Sequence, residues 1–365
     1  MEIEETGPVL AVDDGALPPG PRAAPATAGR RVLALLLAPF WNTSERRLRA
    51  LWRLVGFGVV MAALGFATRP LARALAFEPP WTSFAFGLRA LQAGLVTAAG
   101  VWIAARLFER RPMGDFGLRP SRAFWADFGF GLFLGTFLMT LAFAIEYAAG
   151  WVRVTAVLQD DPSGLPFALA FLAPLLLFVG VGFYEELVSR GYLLRVLAEG
   201  LNFQRPGPRA ALVASVLLTS ALFGWGHHDN PNATLVSSVN IAFAGAFLAL
   251  PYLLTGRLAL SIGLHIAWNL FQGPVYGFPV SGTTAKGAQV LAIEQGGPAA
   301  WTGGPFGPEG GLLCLLLILL GSALIVGWVR WREGRVGWCV ALAVPPSRPA
   351  AVEPIPPAPV AAETA

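Results

Sequence analysis

Apolar residues follow one another in long runs along this chain, and charged residues concentrate in the short stretches between the runs. Each run is nearly free of charge and about as long as the roughly 17–25 residues that a helix needs to cross a bilayer. Eight such runs lie at residues 50–69, 82–106, 124–149, 164–197, 209–229, 233–254, 258–278 and 310–330. The pattern predicts an all-α, polytopic integral membrane protein of eight transmembrane helices, the fourth of them overlong.

Composition agrees with this prediction. Of the 365 residues, 55% are hydrophobic and 13% are charged, and the mean hydropathy is +0.60, well outside the range of soluble domains. Both ends are rich in proline and alanine, and the N-terminal end lacks the apolar core of a cleavable signal peptide. We therefore expect a disordered tail and interfacial segment at 1–45, a membrane domain at 46–335 and a C-terminal tail at 336–365.

The formal net charge is +4, and the arginines gather in alternate loops, such as those that contain Arg110 and Arg205. The positive-inside rule then predicts a multi-pass cell-membrane protein with both termini cytoplasmic. This lipid-interface pattern makes the bilayer the expected partner and gives no support to a nucleic-acid partner. Cys314 lies inside the last run and Cys339 lies beyond it, so we expect no disulfide framework.

Three ionisable residues interrupt the fourth run in the segment FYEELVSRGYLL. Glu186 and Arg190 are four residues apart and can pair on one helix face. Glu185 is rotated by about 100° from Glu186, and no cation lies three or four residues away. An interfacial turn with solvated charges is the simpler interpretation, but the following residues stay largely apolar to about 201. That continuation would leave both glutamates in the middle of one long helix, where charges are costly.

The chain contains three histidines, His227, His228 and His265, and all fall in predicted membrane segments. Asn269 follows His265 by four residues and shares its helix face. A single histidine in a helix bundle is more often a packing residue, but three beside two carboxylates favour catalysis. A rise of about 1.5 Å per residue puts Glu185 about 24 Å and His227 about 27 Å from the cytoplasmic ends of their helices, but His265 only about 10 Å. Tilt, a broken helix or a misplaced boundary must explain that difference.

Three spaced motifs occur in order along this part of the chain: Glu185-Glu186-x3-Arg190, Phe223-x3-His227 and His265-x3-Asn269. Together they resemble the CPBP intramembrane protease family, which includes CAAX prenyl proteases and bacteriocin-processing or self-immunity (Abi) proteins. The resemblance covers about residues 165–280. It implies a four-helix catalytic core made from the fourth to the seventh predicted spans.

The resemblance also implies roles for these residues. Glu185 and His227 would activate a water for attack on a peptide carbonyl, His265 would help to hold that water, and Asn269 would stabilise the oxyanion. Glu186 and Arg190 would form a supporting buried pair, and Phe223 belongs to the same motif set. His228 does not match the Phe-x3-His spacing and is the weaker candidate.

The function expected from the resemblance is an intramembrane endopeptidase that acts on membrane-associated peptides or proteins. The alternative is a non-proteolytic binding or bacteriocin self-immunity protein of the same fold. A proton-coupled transporter would also suit buried Glu and His residues, but no internal repeat supports it. Whether substrates are prenylated stays open, as does the task of the 279–308 loop, which its Gly and Pro content predicts to be irregular.

The cofactor is either none or zinc. Glu185, His227 and His265 would form a complete protein ligand set for catalytic zinc, and the same three side chains could hold a water without metal. If Glu185 were a zinc ligand, Glu186 would be the nearby residue left to act as the base. Glu186 is poorly suited to act as a base because it pairs with Arg190. We therefore prefer a metal-independent, glutamate-activated water.

Overall fold

The structure is a computed structural model that describes residues 36–78, 81–160, 164–284 and 287–345. In this part of the chain, seven helices are long and apolar enough to cross a membrane. The α-helices are α1 (Ala50–Ala67), α2 (Arg69–Ala74), α3 (Thr82–Ala104), α4 (Arg122–Ala148), α5 (Phe167–Glu186), α6 (Arg195–Leu201), α7 (Pro208–Gly226), α8 (Leu235–Thr255), α9 (Ala259–Leu270), α10 (Ala299–Thr302) and α11 (Leu312–Glu333). The prediction of an all-α polytopic membrane protein is confirmed.

The fourth predicted span is one continuous helical stretch, as its length indicated. A π-helical segment, Leu187–Leu194, joins α5 to α6, and the whole stretch Phe167–Leu201 has 35 residues. At about 1.5 Å per residue it is about 52 Å long, well beyond the roughly 30 Å hydrocarbon core. The π-helical segment starts directly after Glu185 and Glu186, so helix geometry changes next to the two glutamates.

The prediction for the seventh span needs correction. The run 258–278 forms α9, of 12 residues, followed by a π-helical turn, Phe271–Val275, and it is not among the seven helices that are long and apolar enough to cross a membrane. Every residue from Ala259 to Asn269 is buried, because α9 packs along α4 and also contacts α5 and α8. The apolar run reflects a helix surrounded by other helices rather than one that faces lipid.

Glycines allow α4 and α9 to approach closely. A Cβ at Gly135 of α4 would lie 2.6 Å from the carbonyl oxygen of Leu264 in α9, a separation that no side chain tolerates. Gly263 of α9 faces the backbone of Phe128 in the same way. Small residues at such crossings are typical of helix packing in membranes, and here they fix α9, which carries His265.

The entry to α9 is also fixed. The backbone N–H of Leu258 donates to the carbonyl of Gly117 at 3.0 Å. The side chain of Arg257 donates to Asp127 of α4 at 2.7 Å and to Glu333 of α11 at 2.6 Å. Three separate segments therefore hold the start of this helix.

The segment predicted as an irregular loop, 279–308, contains regular structure. Strand β4 (Gln289–Gln295) pairs antiparallel with β3 (Val152–Gln159), and α10 follows it. The pairing joins Val152 to Gln295 at one end and Gln159 to Gln289 at the other. The strand was missed because its partner lies far away in sequence, after α4.

A second two-stranded sheet forms from β1 (Trp41–Asn42) and β2 (Arg47–Leu48). At the other end of the described chain, a short 3-10 turn at Val340–Ala343 packs into the core, where Leu342 and Ala343 are buried. The first residues of the segment predicted as a C-terminal tail are thus packed. Residues 1–35 and 346–365, which carry most of both predicted tails, lie outside the described residues, and the domain boundaries stay a prediction.

Five buried charged residues form a group that we call the ion cluster: Arg47, Arg53, Glu109, Arg111 and Glu199. Arg47 contacts Glu109 at 3.2 Å and Glu199 at 2.8 Å, and Arg53 contacts Glu199 at 3.0 Å. Arg53 also pairs with Glu109, and Arg111 with Glu199. The cluster joins β2, α1, the end of α3 and α6 into one body.

Candidate active site

A cavity of about 380 Å³ lies inside the helix bundle. Helices α3, α5, α7, α8 and α9 and the loop 280–284 supply its walls. Most lining residues are apolar, which is typical of ligand sites with a few converging polar groups. The polar ones are Ser83, Glu185, His227, Asn230, His265, Asn269, Ser281, Thr283, Thr284 and Glu309. The four residues predicted to be catalytic thus all line one cavity, together with helix α3 and a loop that the sequence did not associate with them.

Glu185 lies near the end of α5, and its side chain is 21% exposed, toward the cavity. Its Oε2 is 3.9 Å from Nε2 of His265 on α9. That oxygen is buried and has no hydrogen-bond partner among the residues that the structure describes. A buried carboxylate oxygen without a donor is uncommon and calls for an explanation.

Glu186 is fully buried and lies behind the cavity wall rather than in it. Its Oε1 accepts a hydrogen bond from Arg190 Nη1 at 2.7 Å, which confirms the predicted pair. The same oxygen contacts Nδ1 of His265 at 2.8 Å. When the carboxylate is ionised, Nδ1 carries the proton and donates, so the lone pair of Nε2 points toward Glu185. Glu186 therefore orients His265, a contact that the sequence did not predict.

Arg190 fastens this arrangement to the neighbouring helices. Its Nη2 donates to the carbonyl of Gly245 in α8 at 2.9 Å, and its guanidinium lies over the ring of Phe223 at 4.5 Å from the centroid. The Phe223 ring is 4.9 Å from the ring of His227 and 6.2 Å from that of His265. Phe223 thus lies close to the buried cation and to both imidazoles.

His227 is the first residue after α7, at its C-terminal cap. Its Nδ1 pairs with the carbonyl oxygen of Phe223 at 2.8 Å, so Nδ1 donates and Nε2 is left as the acceptor. His228 points elsewhere: it is exposed and its ring stacks on Trp225. Asn269 is buried and lines the cavity one turn beyond His265.

The depth mismatch of His265 has a physical explanation. The helical stretch that carries Glu185 continues for a long way past it, to Leu201, whereas α9 begins six residues before His265. The two side chains nevertheless meet, because the long stretch extends beyond the start of the short, buried α9. The start of α9 at Ala259 agrees with the predicted start of the run at 258, so a misplaced boundary does not explain the difference.

A zinc ion would need the candidate donors Glu185, His227 and His265 to converge on one point. Glu185, His227 and His265 share the cavity, but the described part of the chain holds no group of three or more His, Cys, Asp or Glu side chains arranged to bind a metal ion. The residues as positioned do not fit a three-ligand zinc site. Metal dependence itself stays a prediction.

The part of the chain that carries the candidate site is similar to a known protein family. A family model described as type II CAAX prenyl endopeptidase, Rce1-like, matches residues 167–271. These residues are similar to the domain that defines the Rce1-like family. The resemblance to CPBP proteases is thereby confirmed, and the matched domain contains every predicted site residue from Glu185 to Asn269.

A curated relative, the uncharacterized protein YyaK of Bacillus subtilis (strain 168), is 26% identical over 180 residues. The alignment spans 48% of this chain and 56% of the relative, so the chain covers little more than half of that relative's length. No solved structure matches the chain.

The sequence analysis missed six polar residues of the cavity lining, namely Ser83, Asn230, Ser281, Thr283, Thr284 and Glu309. Ser281 and Glu309 lie beyond the Rce1-like domain. Glu309 stands next to the last apolar run in the segment PEGG, and a carboxylate at such a position was the one available signal. That signal is weak, because a charge at the end of a span is ordinary.

Proposed function

We propose that this protein is an intramembrane endopeptidase that hydrolyses peptide bonds of membrane-associated peptides or proteins. One observation carries the proposal: in an apolar cavity of the segment that matches the Rce1-like family, Glu185 turns toward His265 a carboxylate oxygen that has no hydrogen-bond partner among the described residues. A carboxylate buried without a hydrogen bond is costly, and a bound water would satisfy it. A base that holds a water next to an imidazole acceptor is what peptide hydrolysis requires.

In the proposed mechanism, the water lies beside Glu185, His265 and His227, and it donates one hydrogen bond to Glu185 and one to the Nε2 atom of an imidazole. Glu185 takes one proton as the water oxygen forms a bond to the peptide carbonyl carbon. The carbon–nitrogen bond then breaks, and the proton passes to the departing amine. Glu186 and the Phe223 carbonyl keep both imidazoles in one tautomer and orientation.

Asn269 is assigned the oxyanion role. Its side-chain amide lines the cavity one helical turn from His265, so it can donate to the carbonyl oxygen as charge develops there. The loss of one such donor costs about 10²–10³-fold in rate in known oxyanion holes.

Peptidomics tests the activity. We would compare peptides released from membranes of cells that express the wild-type protein, Glu185→Gln or Glu294→Gln. The matched control Glu294 is an exposed glutamate of β4, away from the cavity. Peptides present in the wild type and in Glu294→Gln but absent in Glu185→Gln are expected. Equal peptide sets in all three would favour the binding or self-immunity alternative.

We propose that the reaction needs no metal. Elemental analysis of the purified protein, with activity measured before and after exhaustive chelation, tests this. Activity should survive chelation. One tightly bound zinc per chain, with activity lost on its removal and restored on its return, would make Glu185 a ligand instead of a base.

We also propose that both termini are cytoplasmic, as the arginine-rich loops indicate. Cysteine-accessibility labelling of an Arg205→Cys variant tests the orientation, and the new cysteine should react only from the cytoplasmic side. Labelling from outside alone would invert the topology and with it the leaflet near which substrates are cut.

A further inference from the structure

A second carboxylate, that of Glu309, lines the cavity and has no part in the proposed mechanism. Glu309 lies just before α11 and is 6% exposed. Its Oε2 accepts hydrogen bonds from the backbone N–H of Ser281 at 2.5 Å and from the Ser281 hydroxyl at 3.0 Å. Its backbone carbonyl accepts from Asn240 Nδ2 at 3.1 Å. Both the side chain and the backbone of Glu309 are therefore held in place.

The loop that contacts Glu309 is held in an unusual conformation. Ser281 has a φ of 46°, in the left-handed region that side chains other than glycine rarely adopt. Its carbonyl accepts from Asn230 Nδ2 at 2.9 Å, and the next N–H, of Gly282, donates to Phe306 at 2.8 Å. Strain of this kind persists where the surroundings fix it, and it gathers at binding sites.

The charge of the cavity is unbalanced. The described lining contains two carboxylates, Glu185 and Glu309, and no lysine or arginine. The nearest buried cation of the site, Arg190, lies behind the wall and pairs with Glu186. Among the residues that the structure describes, no cation pairs with Glu309. A buried carboxylate without a cation is poised to bind one.

We infer that Glu309 selects substrates that carry a cationic group, an ammonium or a guanidinium, close to the bond that is cut. This inference rests on the proposed function and names the substrate class for the same cavity. A cation would form a charge-assisted hydrogen bond with Glu309, stronger than a neutral one.

The test uses the full-length protein in nanodiscs and a library of apolar Leu/Ala peptides with one variable position. That position is Lys, Gln or Glu, and each peptide is made with a free and with an acetylated N-terminus. The wild type should cleave the Lys peptides about tenfold or more faster, in kcat/KM, than the Gln peptides. In Glu309→Gln, which keeps the acceptor for Ser281, that ratio should fall toward one. Glu294→Gln removes an exposed carboxylate outside the cavity and should keep the wild-type ratio.

The two N-terminal forms separate the two sources of the cation. If Glu309 binds the free N-terminus, acetylation slows the cleavage of all the peptides by the wild type and has little effect in Glu309→Gln. If a side chain is read, the Lys peptides keep their advantage after acetylation. A preference that is equal in the wild type and in Glu309→Gln overturns the inference.

Lys286, the one lysine of the chain, lies outside the described residues. A Lys286→Gln variant belongs in the same assay and should keep the wild-type ratio. A charge preference that exists only in that variant would mean that the native chain neutralises Glu309 itself, and the inference would fall.

Peptide binding to Glu185→Gln and to Glu185→Gln/Glu309→Gln separates the two proposals. Tighter binding of Lys peptides that depends on Glu309, with no cleavage by any form, would overturn the protease and keep the inference. Cleavage without any charge preference would keep the protease and overturn the inference. Absence of both binding and cleavage across the library would overturn the inference.

Discussion

The protein buries charge in two regions, the ion cluster and the cavity, and the two differ in how completely their charges are paired. In the ion cluster, Glu199 meets three buried arginines and Glu109 meets two. Tyr192 also donates to Glu109 at 3.1 Å. At the cavity, Glu186 lies behind the wall and pairs with Arg190 and His265, whereas Glu185, which lines the cavity, pairs with no arginine or lysine among the described residues.

The difference separates a structural buried ion from a functional one in a membrane protein. A buried carboxylate that is paired with arginines holds segments together, and its removal leaves the partner charges unpaired in a low dielectric. A buried ion with an unfilled position that faces a cavity is available to a ligand or a reactant. Glu186 lies between the two types, because it forms an ion pair and also orients a cavity histidine.

The largest effect expected from this comparison is that of Glu185→Gln on activity. The amide keeps the shape but cannot act as a base, so the rate should fall by about 10³-fold while the unfolding temperature stays near that of the wild type. Peptide cleavage and thermal unfolding in nanodiscs measure the two. Full activity in this variant would remove Glu185 from its assigned role.

In the ion cluster, a substitution should reduce stability more than activity. Glu199→Gln leaves three arginines short of a counter-charge and should lower the free energy of unfolding by about 3 kcal/mol or more, with activity per folded molecule little changed. Thermal unfolding and the yield of folded protein report this. The control is Glu333→Gln, because Glu333 is 41% exposed in its ion pair with Arg257 and its loss should matter little. Equal stability of both variants would contradict the assignment.

Glu186→Gln should affect both properties. It removes the counter-charge of the buried Arg190 and weakens the contact that orients His265, so we expect a stability loss of about 2 kcal/mol and a fall in activity of about tenfold. Asp115→Asn is a matched control, since Asp115 pairs with Arg119 at the same four-residue spacing but the arginine is 71% exposed. A variant that loses stability alone would mean that the contact with His265 is dispensable.

The smallest effect concerns the packing that holds α9. Gly135→Ala places a Cβ against the Leu264 backbone and should cost about 1–2 kcal/mol, together with a modest loss of activity as His265 moves. Gly129→Ala, on the same helix, puts its Cβ in open space and should be neutral or slightly stabilising. If both substitutions behave alike in thermal unfolding and cleavage, close approach of α4 and α9 is not what positions His265.

Part of this molecule follows from the sequence alone. Long apolar runs are required wherever a helix must cross a hydrocarbon layer. The sequence therefore predicted seven of the eight spans with ends that agree with the helices to within a few residues. The pair Glu186–Arg190 follows from helix geometry, since residues four apart lie on one face. The ordered motifs from Glu185 to Asn269 drew attention to the right segment because ionisable residues are costly inside a membrane.

Only the tertiary structure decided how these segments meet. Local periodicity says which residues share a face of one helix, but it carries no information on which face of a distant helix lies opposite. The contact of Glu186 with His265, the burial of α9 on all sides and the pairing of β3 with β4 all join segments far apart in sequence. The position of Glu309 in the cavity wall also depends on the tertiary structure. The loop from 280 to 284 and the start of α11 fold back over the helices that carry the predicted site.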